Sequence, residues 1–152
     1  MCKVHQMDIV EKLRTEIIRY QSKPFLKAAM AVCALVALAD DDYSLSERGQ
    51  VDIVLQTMGS LKFHDPYKAA EIFEGFIHHL RTDHDTAAKI LAGKVARHAG
   101  NYKEARTLLR VAGMIINADG KVTPEERAVF GELCDVLNVD PNEVWDKLAA
   151  AA

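Results

Sequence analysis

All four prolines of this chain stand where a helix should begin, and that punctuation limits the fold more than any other feature. Asp65-Pro66, Thr123-Pro124 and Asp140-Pro141 each set a capping side chain immediately before proline. The cap oxygen accepts a backbone N–H that has no partner inside the helix. Proline at the first helical position gives up a donor that would have had none. Pro24, two residues after Ser22, opens the most apolar segment in a similar way. A glutamate at the third helical position completes a capping box in Thr123-Pro124-Glu125-Glu126 and in Asp140-Pro141-Asn142-Glu143. Ser44-Leu45-Ser46-Glu47 has the same form without proline.

Between these starts, apolar residues recur three and four apart, and no segment alternates with the period of a strand. Ile9, Leu13, Ile17 and Tyr20 make one stripe, and Tyr67, Ala70, Phe73, Ile77 and Leu80 another. Ala88, Leu91, Val95 and Ala99 form a third, and Val129, Leu133 and Val136 a fourth. The pattern predicts an all-α protein of about eight helices joined by short loops. With 152 residues, 49% hydrophobic, the chain fits one helical domain over residues 1–152. The longest apolar run, Ala28 to Ala39, is well short of the roughly 20 residues that cross a bilayer, so it reads as a buried core helix. No signal-peptide core follows Met1, which points to the cytoplasm. Cys2, Cys33 and Cys134 are odd in number, and two lie in apolar runs, as expected of free thiols in a reducing compartment.

The chain also repeats itself. Ala39-Asp40-Asp41-Asp42-Tyr43-Ser44-Leu45-Ser46-Glu47-Arg48 lies without a gap over Ala118-Asp119-Gly120-Lys121-Val122-Thr123-Pro124-Glu125-Glu126-Arg127, 79 residues later. Upstream, Val32 and Ala34 face Val111 and Gly113. Downstream, Leu61-Lys62-Phe63-His64-Asp65-Pro66 matches Leu137-Asn138-Val139-Asp140-Pro141 with one residue deleted. The unit is a buried helix, an acidic loop, a capped amphipathic helix and an Asp-Pro start to a third helix. It gives internal repeats at about 22–81 and 101–152. A helix apolar on several sides needs an equally apolar partner. We therefore expect Pro24–Ala39 to pack on Tyr102–Ala118 about a pseudo-two-fold axis, with Ala34, Ala37, Ala112 and Gly113 allowing close approach.

Two accounts of the acidic loops are open. Calcium takes six to eight oxygens, and carboxylates spaced along a tight loop supply them together with backbone carbonyls. Asp40, Asp42, Ser44 and Glu47 are similar to the start of an EF-hand loop, and the second loop offers Asp119, Thr123 and Glu126. Neither is an EF-hand, because the twelfth position counted from Asp40 is Val51. The other account needs no metal: Glu47 and Glu126 are capping-box residues, and Gly120 ends a helix.

The two Ala-Asp-(Gly)-x-x-(Ser/Thr)-x-x-Glu loops, each flanked by apolar helices, resemble the TerB-like fold of tellurite resistance proteins. The resemblance runs from about Ser22 to Trp145. It is clearest in Ala118-Asp119-Gly120 through Glu126 and in Leu137-Asn138-Val139-Asp140-Pro141-Asn142-Glu143-Val144. It implies an all-helical protein of stress response and tellurite resistance. It also implies a divalent metal ion, calcium or another, held by Asp40, Asp42, Glu47, Asp119 and Glu126. The first loop departs from the family pattern by placing three aspartates where Asp-Gly is usual.

The remaining residues suggest no enzyme. Cys33 has no acid or base near it in sequence, and no Gly-rich phosphate loop occurs. His78, His79 and His84, with Asp83 and Asp85, read as a solvated helix end rather than a zinc site; His64 and His98 sit near loops. Phe73, Phe76, Phe130 and Trp145 are spaced as core contacts. The net charge of −3 and scattered cations such as Lys12, Arg14, Arg19, Lys23 and Lys27 give no reason to expect nucleic acid or an anionic membrane. The alternative function is a metal-free helical module that docks a protein partner, and a homodimer is compatible with either reading.

Overall fold

Eleven of the fifteen residues from Lys23 to Ala37 are buried, and this helix is the one around which the others gather. In the computed structural model, residues 9–13, 22–39, 51–56, 61, 64–117 and 122–144 are described. They hold eight helical stretches and no strand. These are α1 (9–13), α2 (Lys23–Ala37), α3 (51–56), α4 (Pro66–Thr82), α5 (His84–Ala96), α6 (Tyr102–Ile116), α7 (Pro124–Leu137) and α8 (141–144).

The capping residues read from the sequence act as caps. Ser22 Oγ accepts from the Phe25 N–H at 3.3 Å, and Asp65 Oδ1 from the Tyr67 N–H at 2.9 Å. Thr123 Oγ1 accepts from the Glu126 N–H at 3.1 Å, and Asp140 Oδ1 from the Asn142 N–H at 3.0 Å. Asp83 ends α4 and also starts α5: its N–H donates to the His79 carbonyl, while its carboxylate accepts from the Thr86 N–H.

Alanine dominates α2, so neighbouring helices approach it on several sides. It packs directly on α4, α5 and α6, and at its edge on α7. Phe25, Met30, Phe73, Leu80, Leu108, Leu109, Phe130 and Leu137 fill the resulting core. Burying each such side chain stabilises by about 1.5–3 kcal/mol over leaving it in water. The stripe expected on α4 is displaced by one residue at its start. Ala69, Phe73, Ile77 and Leu80 are buried, whereas Tyr67 is 85% exposed. Tyr67 sits in the first turn, ahead of the point where α4 meets the core. Ile9 and Leu13, predicted to line one side of a helix, are 53% and 57% exposed.

The helix α2 lies against α6, and the two agree in detail. Both have 15 residues, and their capping residues, Ser22 and Asn101, are 79 apart. Each cap accepts from the N–H three residues on: Phe25 for Ser22, Glu104 for Asn101. At the other end the Leu38 N–H reaches the Ala34 and Val36 carbonyls, as the Asn117 N–H reaches those of Gly113 and Ile115. Asp65 and Asp140 also cap their helices through the same kind of bond.

Candidate functional site

The two acidic segments follow the C-terminal ends of α2 and α6 in sequence. A helix ends in carbonyl oxygens that lack intrahelical donors and carry about half a negative charge. Cations normally settle there, yet neither helix has a basic residue in its last turn. In sequence, Asp40 follows the cap Leu38 by two residues, and Asp119 follows Asn117 by two. A helix end without a basic residue is an electrostatic setting that attracts a cation. Beside the end of α2, Arg81 and His84 line a cavity of about 550 Å³ together with Leu38 and Ala39.

Of the expected ligands, Glu126 alone falls within the described residues; Asp40, Asp42, Glu47 and Asp119 lie outside them. Glu126 occupies the first turn of α7, half buried, with its amide bound to Thr123 Oγ1 and its Oε2 withdrawn from solvent. Among the described residues, no three His, Cys, Asp or Glu side chains are grouped to hold a metal. Carboxylates together with carbonyl oxygens are the hard donors that calcium or magnesium takes, so the residue types fit such an ion.

The histidines divide into two sorts. His78 and His79 are exposed at the end of α4, with ring centroids 6.0 Å apart, and exposed His84 places Nδ1 3.8 Å from Asp85. His98 lies in the turn after α5, near a loop as the sequence placed it, and is 8% exposed. Its ring meets Phe25 edge-on at 5.4 Å, and its Nδ1 lies 3.7 Å from Glu104 Oε2. Its enclosed Nε2 makes no hydrogen bond among the described residues. The turn after α5 folds back over the first turn of α2, a contact that no local pattern announces.

The two thiols among the described residues are chemically quiet. Burial pushes Cys33 from an ordinary 9.0 up to about 12. Cys134 rises to about 11 through burial, and further through the neighbouring charges of Asp135 and Asp140. Neither supplies a thiolate near neutral pH. A shallow cavity of about 370 Å³ lies between α4 and α5, with Phe76, Asp83, Thr86, Ile90 and Lys94 among its lining. No helix among the described residues is long and apolar enough to cross a membrane.

Comparison with known proteins gives two matches. The family described as "Tellurite resistance protein TerB" matches residues 26–147. The chain is similar to a curated protein of Alcaligenes sp named "Tellurium resistance protein TerB". The two are 32% identical over 105 residues, covering 66% of this chain and 83% of that protein. No solved structure matches. The family match takes in α2 from Leu26 onward and every helix from α3 to α8, and the relative shares about a third of its residues over most of its length: the chain belongs to the TerB family.

Proposed function

We propose that this protein works in tellurite resistance as a non-enzymatic, cytoplasmic stress-response protein that binds a divalent cation at its acidic turns. The resistance role is suggested by the family description and by the name of the Alcaligenes relative. The observation that carries the cation reading is the end of α6. α6 has no base in its last turn, Asp119 follows its cap Asn117 by two residues in sequence, and the first turn of α7 holds Glu126 with one carboxylate oxygen out of solvent.

The second turn would use Asp119 and Glu126; the first would use Asp40, Asp42 and Glu47. A bound cation supplies charge neutralisation at the helix end and ties the turn to the first turn of the following helix. The chain's own part is to supply hard oxygen donors. The matched lengths and caps of α2 and α6 support reading the turns as copies of one duplicated unit with pseudo-two-fold symmetry. The raised thiols of Cys33 and Cys134 weigh against cysteine chemistry.

Calorimetric titration with calcium, magnesium and zinc tests the proposal. We expect saturable heat with at least one cation, weakened by Asp119→Asn and by Glu126→Gln. Unchanged affinity in both variants would remove this site. No heat with any cation, and no change in melting temperature, would leave the metal-free docking module as the better account. Growth on tellurite with and without expression of the chain tests the resistance role separately.

A further inference from the structure

The fold collects cations that lie far apart in sequence. A cleft of about 150 Å³ between the start of α2 and the end of α5 is lined by Lys23, Pro24, Lys27, Lys94 and Arg97. Four of these five residues are cationic and none is acidic, in a chain whose net charge is −3. Lys27 and Lys94 are half buried, while Lys23 and Arg97 are exposed. Lys23 and Lys27 share one face of α2, four residues apart, and Lys94 and Arg97 are three apart at the end of α5. Like charges at these spacings repel. Among the described residues none of the four makes an ion pair.

Helix polarity explains only half of the cluster. Lys94 and Arg97 stand at the C-terminal end of α5, where the dipole favours cations. Lys23 and Lys27 stand at the N-terminal end of α2, where it opposes them, and the first turn there holds no acid. Two helix ends of opposite sign meet, and the positive one carries further positive charge. Side chains that break a local electrostatic rule without a compensating contact mark a functional position.

We propose that this cleft is a binding site for a phosphate-class oxyanion, either inorganic or the head of a phosphate monoester, held by Lys23, Lys27, Lys94 and Arg97. The cleft admits a group of phosphate size. Arg97 offers a planar fork of donors, and the lysines offer compact point charges, the complementary means by which proteins hold such anions. The site is separate from the acidic turns, and its test does not depend on any metal.

The test is a backbone-amide NMR titration of the full chain with inorganic phosphate and, in a parallel arm, glycerol phosphate, with chloride at matched ionic strength as reference. We expect saturable shifts confined to the amides of residues 23, 25–27 and 94–98. If both ligands produce them, the inorganic anion suffices; if the ester alone does, the ligand is a monoester. Both results support the site. The double variant Lys27→Gln/Lys94→Gln should weaken binding about tenfold or more, through loss of charge-assisted hydrogen bonds. The exposed Lys23→Gln alone should weaken it less, and Lys89→Gln, elsewhere on α5, should leave it unchanged. Removing mutually repelling charges should also leave the double variant at least as heat-stable as the parent. Shifts no larger than those from chloride, or parental affinity in the double variant, would overturn the proposal.

Discussion

Asn138 shows how far a single residue can fix an element boundary. It is the one non-glycine residue with positive φ among those described, at φ 59° and ψ 44°, where α7 ends. The bend lets the Val139 N–H reach the Cys134 carbonyl at 2.9 Å. Asparagine tolerates the left-handed region better than any side chain branched at Cβ. Asn138→Val should therefore destabilise by about 1–2 kcal/mol, and Asn138→Gly by much less, as read from urea unfolding. Cys33 makes a prediction in pH. The unfolded chain loses the thiol proton near pH 9.0 and the folded chain near 12. The contribution to stability is complete below the lower value and is lost as pH rises through the upper one. Unfolding midpoints measured across that window should fall less steeply for Cys33→Ala than for the parent.

At the scale of the element, the α2 and α6 ends offer a paired experiment. Ser22 and Asn101 occupy corresponding caps and make corresponding bonds, at 3.3 and 3.1 Å. Ser22→Ala and Asn101→Ala should each cost about 1 kcal/mol, the usual loss at such a position. The two effects should add apart from any coupling carried by His98, which touches both Phe25 and Glu104. Thermal melts of the singles and the double check both expectations. A large inequality would mean that the two helices have unlike surroundings in spite of their matched termini.

The whole molecule depends on close approach to α2. Alanines 28, 29, 31, 34 and 37 are buried there, and Ala112 is buried on α6. Larger side chains in such a seam would force the helices apart, at a cost of about 1–3 kcal/mol. Ala112→Leu should lower the melting temperature and raise the binding of a dye that reports exposed apolar surface. Leucine at exposed Ala96, at the end of α5, should do neither. Divalent cation belongs to this scale as well. On the proposal above, a cation held between the end of α6 and the start of α7 would stabilise only the folded state, so saturating concentrations should raise the melting temperature.

What the sequence determined by itself was local. Caps, prolines and the 3.6-residue period act within a few residues of one another, and so Ser22, Asp65, Thr123 and Asp140 could be read as helix starts directly. The apolar content of Ala28 to Ala39 likewise announced a buried helix. Glu126 was legible as a capping residue, but a cap and a ligand require the same oxygen at the same place, and sequence does not separate them. Only the tertiary structure decided which distant residues meet. Lys23 and Lys27 looked like scattered charges, yet they share a cleft with Lys94 and Arg97. His98 looked like a loop histidine, yet it is enclosed against Phe25 and Glu104. Both facts follow from the docking of α5 and its final turn on α2. That docking is fixed by the sum of many small apolar contacts rather than by a motif, and so no single stretch of the chain records it.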